Sequence, residues 1–459
     1  MKWKILFFIA ITVLFIKTRD TVFADFSIEQ QLTLGLLVVA VYLWVASPLP
    51  SGATSILLIA LMMLLGLADG VEEAVVGFLS PALYFIIMLS FISHALVKVG
   101  IDRVIAGTLV KVSRSGPKSI VYGLPAFIAV LPIILPSAVA RFKIFLPLLT
   151  RLNHYFGFGE KSLFKKFSMY VIGMMNQNAT MIIFTGGGFP VLASQLFSDY
   201  GIAEVGWLEW FGRIAPPLWI GLFLVTIFVW QFLKYTTNDS EWENHRDNMP
   251  VDKNERVSMP PAFWVAVIGF LLMISAWIIT DRDQVPLVLP PMLLVVLYAL
   301  PKMGLIDNKV IRGYDWENFL LLGASFSLGM LMSRNGTAEI LAKQLLELVP
   351  QDGSILIKVI LIALFVFILR FMFVVPSSAV IVIFPIVISY AELIGIAPVN
   401  LSFLVVMIIG GMMVLPIHSP TTFYAYETGV FSKTEQYVIG IFSSFIMMLT
   451  AIFAALYYW

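Results

Sequence analysis

Long apolar runs alternate with short polar breaks along almost the whole chain. At about 20 apolar residues per crossing, the pattern predicts membrane-spanning helices at 4–17, 31–48, 53–68, 75–97, 168–196, 209–233, 261–280, 285–301, 315–333, 399–430 and 436–458. Two further runs, 119–150 and 354–391, are too long for one ordinary span. Each is broken near its middle by proline and small hydroxyl residues, first Leu135-Pro136-Ser137-Ala138-Val139-Ala140-Arg141, then Val375-Pro376-Ser377-Ser378-Ala379. A second broken segment follows each: Gly173-Met174-Met175-Asn176-Gln177-Asn178-Ala179-Thr180, and Gly411 to Thr422 through Leu415-Pro416-Ile417-His418-Ser419-Pro420. Non-helical backbone is tolerated in hydrocarbon only inside protein or beside a wet cavity. Paired interrupted helices in two halves point to a transporter's binding site.

Charge decides which runs cross. Lys98, Arg103, Lys111, Arg114 and Lys118 precede the first broken run, and Arg151, Lys161, Lys165 and Lys166 follow it. Short basic loops stay in the cytoplasm. Both flanks therefore lie inside, and 119–150 is a re-entrant hairpin with its tip at Pro136 to Arg141. Asp69 to Glu73 and Asp199 to Glu209 lack Lys and Arg and fit the outside. Five predicted crossings separate the hairpins, an odd number, so 354–391 enters from the opposite face. Two opposed elements make an inverted-topology repeat.

The expected organisation is N-terminal helices at 1–52, a first repeat at 53–233, a solvated cytoplasmic linker at 234–260 and a second repeat at 261–459. Asn238, Asp239, Glu241, Glu243, Asp247, Asp252 and Glu255 mark the linker. Residues 100–112 and 335–349 follow a Gly or Asn-Gly stop, are short and amphipathic, and are expected to lie along the interface. They sit just before each hairpin, placed to join a moving domain to a fixed one. At the N-terminus, Met1-Lys2-Trp3-Lys4, the apolar run 5–16 and Val22-Phe23-Ala24 resemble a signal peptide; the bulky Phe23 favours a retained helix. The N-terminus is expected in the cytoplasm and the C-terminus outside.

Composition narrows the function classes. The chain is 60% hydrophobic and 12% charged, with a mean hydropathy of +0.94, where soluble domains carry about 25% charged residues. A net charge of +1 says nothing of partners, and no basic cluster argues for nucleic acid. Without cysteine there is no disulfide or thiolate chemistry. His94, His154, His245 and His418 form no HExxH pair. No catalytic residue, resident metal or cofactor is expected.

The candidate chemistry sits at the breaks. A helix broken at mid-membrane presents free N–H groups to an anion, and freed carbonyls to a cation. Ser137, Asn176, Gln177, Asn178 and Thr180 are the candidate first half-site; Ser377, Ser378, Ser419, Thr421 and Thr422 are the second. Ser137, Asn178, Ser377, Ser378 and Ser419 are also candidates for holding a coupling ion. The alternative is interhelical polar glue. Arg141 and Lys143 lie just past the first break, where buried charge is functional by default and Arg suits a planar oxyanion; snorkelling is the alternative. His418 is a candidate for anion contact or proton coupling, against a packing role. Arg370 is read as a structural partner of Glu392 or a cavity residue, and Glu427 as a coupling carboxylate or exit-lining group. Gly186-Gly187-Gly188 reads as a close-packing or hinge point, since no Lys-Ser/Thr follows.

This order of elements resembles the divalent anion:sodium symporter family, within the ion transporter superfamily of elevator transporters. The resemblance is carried by Asp315-Trp316-Glu317-Asn318-Phe319 through Leu328-Gly329 and Asn335-Gly336, by Ser378 through Pro385, and by Leu415-Pro416-Ile417-His418-Ser419-Pro420-Thr421. It implies an all-α polytopic membrane protein of about eleven transmembrane helices plus two opposed re-entrant hairpins. It also implies a homodimer and secondary active transport of a small anion across the plasma membrane. Where the family has Ser-Asn-Thr at its tips, this chain has Pro-Ser-Ala at 136–138 and Pro-Ser-Ser at 376–378, and Asn176-Gln177-Asn178 replaces a Gly-rich stretch. The resemblance is therefore to a divergent member of the family, with sodium ion or proton left open as the coupling ion. Two rival readings stand beside it. A cation/proton antiporter or metalloid-anion exporter of the same superfamily needs a buried acid such as Glu427 or Glu392. An intramembrane transferase acting on lipid-linked substrates needs an acid/base pair that His418 lacks nearby.

Overall fold

Apolar sequence entering lipid can leave no backbone group unpaired, and helix satisfies its own. The computed structural model describes residues 25–46, 49–113, 116–237, 242, 259–280, 285–347, 353–371, 373, 375–394 and 396–459, and all regular structure among them is helical. The expected crossing 4–17, the cleavage question, the linker residues from Asn238 to Glu255 and the side chain of Glu392 lie outside the described residues.

In chain order, α1 (Ile28–Ala46) and α2 (Ser51–Leu64) precede a helical turn at Val71–Ala74 and a 3-10 turn at Val76–Leu79. α3 (Pro81–Lys98) and α4 (Ile101–Ser113) meet at Gly100, whose φ of 101° suits glycine. α5 (Pro117–Val130) and α6 (Ala138–Tyr155) flank the first proline break. α7 (Leu163–Tyr170) runs into a π turn at Val171–Met175, a short helix at Asn176–Ala179 and 3-10 turns at Thr180–Ile182 and Phe184–Gly186, before α8 (Gly188–Asp199). α9 (Trp207–Thr236), α10 (Pro261–Ile279) and α11 (Leu289–Ala299) follow. Then come α12 (Trp316–Arg334), α13 (Thr337–Glu347), α14 (Ile355–Arg370), α15 (Pro376–Ile394) and α16 (Pro398–Gly411). A 3-10 turn at Pro416–His418 leads to α17 (Pro420–Glu427) and α18 (Lys433–Tyr457). Among the described residues α3, α9, α10 and α18 are each long and apolar enough to cross a membrane.

The four expected breaks are present as departures from α-helix. The predicted run 75–97 does not begin as one helix: it opens as a 3-10 turn, and α3 starts at Pro81, where a missing N–H costs nothing.

The helices gather into two compact units. One is built from Met1–Leu83 and Asp315–Val405, the other from Tyr84–Tyr314 and Val406–Trp459. In the first unit α12 is the central element. It carries Leu328, Leu331 and Ala324 into a core with Leu36, Leu58 and Met62. Its small residues admit close neighbours. A methyl group on Gly77 would lie 2.2 Å from Ser327 N and 2.5 Å from Gly323 O, and Gly77 N donates to Ser327 Oγ at 3.0 Å. Glu317 receives bonds from Ser51 N (2.6 Å) and Ser51 Oγ (2.7 Å), which caps the start of α2 with a carboxylate. Arg334 pairs with Glu73 and donates to Leu67 O at 3.1 Å. The Asn335-Gly336 stop turns the chain into α13, with Gly336 at φ 73°.

In the second unit α9 packs along α18, where Gly221 meets Met447. The buried ion pair Lys166–Glu435, at 2.6 Å, ties α7 to the start of α18. The arms α5 and α6 of the first hairpin meet through Phe127 and Phe145, edge to face at 6.0 Å.

Replacing Gly77 by Ala is expected to destabilise the protein by about 1–3 kcal/mol, because backbone atoms of α12 must move to make room. Gly107→Ala on α4, where nothing lies within 4 Å of the added methyl, is expected to be neutral or stabilising by up to about 1 kcal/mol. Thermal unfolding of the two purified variants, followed by tryptophan fluorescence, separates them.

Candidate functional site

Each break frees backbone groups that must find partners without water. In the second unit side chains supply them. Arg141, in the first turn of α6, is fully buried. Its Nε donates to Asn176 Oδ1 at 2.6 Å, its Nη2 to Asn176 O at 3.2 Å, and its Nη1 to Leu135 O at the hairpin tip. Asn176 passes the network on, its Nδ2 donating to Ala138 O at 2.9 Å and to Ile172 O at 3.0 Å. Arg141 and Asn176 thus lock the hairpin tip to the π turn. Among the described residues Arg141 meets no carboxylate, so its charge is solvated by carbonyls and an amide only.

The second broken segment joins the same cluster. Beyond Gly411 the backbone is irregular until the 3-10 turn, and Met413 N donates to Ser444 Oγ of α18 at 2.9 Å. Ser419 is the N-cap of α17: its Oγ accepts from Thr422 N at 3.1 Å and donates to Thr422 Oγ1 at 2.7 Å. Thr421 Oγ1 donates to Gly173 O at 2.8 Å. That carbonyl lies in the π turn, where Gly173 leaves room for Ala425. Asn178 Nδ2 reaches Gly411 O at 3.5 Å, while its buried Oδ1 has no hydrogen-bond partner among the described residues. His418 Nδ1 accepts from Leu415 N at 3.3 Å, folding the buried ring against its own turn.

The remaining candidates divide by surroundings. Thr180 Oγ1 donates to Gln177 O at 2.7 Å, and Gln177 is half-buried. A methyl on Gly186 would sit 2.2 Å from Thr180 O, which gives the glycine run a close-packing role. Ser137 caps α6, accepting from Ala140 N at 3.2 Å. It also lines a cavity of about 650 Å³ with Lys143, Ser90, Ser93, His94 and Arg103. Lys143 therefore faces open space where Arg141, two positions earlier, faces protein. Glu427 is exposed at the end of α17.

Ser377 and Ser378 belong to the first unit. They stand in the first turn of α15 after the second proline break, both buried, and Ser378 Oγ has no hydrogen-bond partner among the described residues. Fully buried Arg370 donates through Nη1 to Phe373 O in that break, as Arg141 does to Leu135 O in the other unit.

Sequence reasoning missed the cavity residues on α3 and α4. The signal was present: Ser90, Ser93 and His94 recur at helical spacing on an otherwise apolar helix. It also missed Trp210, whose Nε1 pairs with Met181 O, a carbonyl released by the first broken segment, at 2.8 Å.

The whole chain, residues 1–459, matches the family described as the sodium:sulfate symporter transmembrane region. A membrane protein of Cupriavidus necator is 23% identical over 94% of this chain and 88% of its own length. The chloroplastic dicarboxylate transporter 2 of Spinacia oleracea is 26% identical over 57% of this chain and 47% of its own length. In fold, the chain resembles the Alcanivorax borkumensis YdaH transporter, with a TM-score of 0.52 and 13% identity over 93% of this chain and 96% of that one.

Arg141→Met is expected to take the donor from Leu135 O, Asn176 Oδ1 and Asn176 O, at about 1–3 kcal/mol for each buried group left unpaired. Arg141→Lys is expected to fail as a rescue, since one ammonium cannot reproduce a planar fork across three acceptors. A lowered melting temperature in both variants is the expected outcome; wild-type stability of Arg141→Lys would contradict the bracing role.

Proposed function

This chain belongs to the sodium:sulfate symporter family, and we propose that it is a secondary active carrier for a small divalent anion, of the dicarboxylate or sulfate class. It is a multi-pass membrane transporter and not an enzyme. The observation that carries the substrate class is Arg141. A fully buried cation with no carboxylate partner among the described residues is costly in a membrane interior. It creates a positive potential at the junction of the hairpin tip and the first broken helix. An anion beside the Thr421–Thr422 turn neutralises that potential, whereas a cation substrate adds to it. The partial likeness to a chloroplastic dicarboxylate transporter and the family's sulfate members favour the same chemical class.

Sodium is the coupling ion in this reading. Asn178 Oδ1 and Ser378 Oγ are buried oxygens without hydrogen-bond partners among the described residues, and unwound carbonyls such as Gly411 O accompany Asn178. Buried oxygens without a partner and a carbonyl at a helix end suit a hard monovalent cation. Ser137, Ser377 and Ser419 stand at helix N-caps or first turns, where hydroxyl and N–H groups serve the anion. His418, held by Leu415 N, acts as a packing group near the break.

The first hairpin and the broken segments of the second unit form the carrying element, moving elevator-fashion within a homodimer of the plasma membrane. The two halves, 53–233 and 261–459, are related as an inverted repeat, with the N-terminus in the cytoplasm. Anion binding neutralises the site and permits the passage.

The test is uptake of labelled sulfate, succinate and malate by reconstituted proteoliposomes under an imposed sodium gradient, a proton gradient, or neither. Saturable uptake of one of these anions, driven by sodium and lost in Thr421→Val, is expected. Proton movement driven by sodium or lithium with no anion uptake would instead establish the antiporter. Anion uptake driven by protons alone would overturn the sodium assignment and leave the substrate class standing.

A further inference from the structure

We infer that the cavity lined by α3, α4 and α6 is a second anion site, a basic vestibule that takes up a sulfate- or dicarboxylate-class anion beside the first hairpin tip. This rests on the anion-carrier reading above, shares Ser137 with it, and adds Ser90, Ser93, His94, Arg103 and Lys143, which that reading does not use.

The cavity measures about 650 Å³, within the range of small-molecule sites and roomy enough for a small anion with water around it. Three elements converge on it. α3 contributes Ser90, Ser93 and His94. Spacings of three and four residues place these on one face of the helix. α4 contributes Asp102 and Arg103, and α6 contributes Lys143. Ser137 and Ala140, from the cap and first turn of α6, complete the lining at the hairpin tip.

The charge balance selects the ligand. Arg103 and Lys143 are two cations against the single carboxylate of Asp102. Neither cation forms an ion pair among the described residues, and Asp102 pairs with neither. Successive helix positions diverge by about 100°, which accounts for Asp102 and Arg103 remaining apart. Val97, Ala106 and Ile144 provide apolar walls, and low-dielectric walls focus the field of the unpaired cations. The serine hydroxyls and the imidazole supply donors for an oxyanion. A protein-internal role for Arg103 and Lys143 would show as bonds to carbonyls, as it does for Arg141; no such bond joins either side chain. α4 is also the amphipathic segment that precedes the hairpin, so its polar face has a use beyond meeting water.

The vestibule concentrates anion next to the tip and sets the apparent affinity, while the buried site beside Arg141 carries the substrate. Uptake of labelled sulfate and succinate by wild-type proteoliposomes, compared with Arg103→Gln, Lys143→Gln and Asp102→Asn at low and high potassium chloride, tests this. Arg103→Gln and Lys143→Gln are expected to raise KM by about fivefold or more with Vmax little changed, and to flatten the rise of KM with salt. Arg103→Lys is expected to restore KM, and Asp102→Asn to lower it, a change of opposite sign that folding damage would not produce. Wild-type KM and salt dependence in both cation variants would overturn the vestibule while leaving the anion carrier intact. No saturable uptake of either anion by the wild type would overturn both.

Discussion

Every unusual feature of this protein follows from one constraint: a helix broken inside an apolar environment releases amide and carbonyl groups that water cannot reach. A buried unpaired polar group costs several kcal/mol in hydrocarbon, so a break survives only with dedicated partners. Here Arg141 serves Leu135 O and Asn176 O, and Asn176 serves Ala138 O and Ile172 O. Thr421 serves Gly173 O, Trp210 serves Met181 O and Ser444 serves Met413 N. The polar residues of this membrane interior are first of all substitutes for missing backbone hydrogen bonds. Their capacity to hold a ligand is what remains after that duty, which is why the unspent oxygen of Asn178 is more telling than the fully committed amide of Asn176.

The two hairpins solve the same problem with the same side chain. In one unit Arg141 follows the break and reaches back to Leu135 O; in the other Arg370 precedes it and reaches forward to Phe373 O. A guanidinium suits this task because it offers several donors in a fixed fork and stays protonated at depth. A neutral amide would satisfy a carbonyl at lower desolvation cost. The charge at Arg141 is therefore more than the pairing of Leu135 O requires.

The breaks themselves were legible in the sequence, because Pro136, Pro376 and Pro416 disfavour a helix interior and stand near Ser137, Ser377 and Ser419, which are good N-terminal residues; proline alone was no sufficient sign, since Pro125, Pro147 and Pro385 lie inside helices. Gly100 and Asn335-Gly336 likewise announced the turns into α4 and α13. The partners were not legible. Arg141 and Asn176 lie 35 positions apart, and Thr421 and Gly173 lie 248 apart; no local pattern encodes such pairs. For the same reason Arg141 and Lys143 read as a matched couple, although α6 turns one inward and the other toward the cavity. Nor does periodicity reveal that the chain gathers into units that each take segments from both halves. Ser377 and Ser378 share one unit with α12, while Ser419, Thr421 and Thr422 share the other with Asn176. The close passes at Gly77 and Gly186 were equally hidden, since a glycine's neighbour across the fold leaves no mark on the sequence around it.

Within the second unit the two broken segments are not independent. Thr421 holds the π turn at Gly173, Asn178 reaches the end of α16 at Gly411, and Ser444 grips the irregular stretch at Met413. Separating one segment from the other would expose several carbonyls and amides together, and such groups are worth most where water is absent. A small-residue seam reinforces the bond network: Gly173 against Ala425, Gly410 against Met181, and Gly440 against the Val414 backbone. A cluster tied in both ways responds to force as one body. Any displacement within this unit is then absorbed outside the cluster, in segments with fewer shared polar contacts. The polar bonding that lets a broken helix persist also makes it rigid.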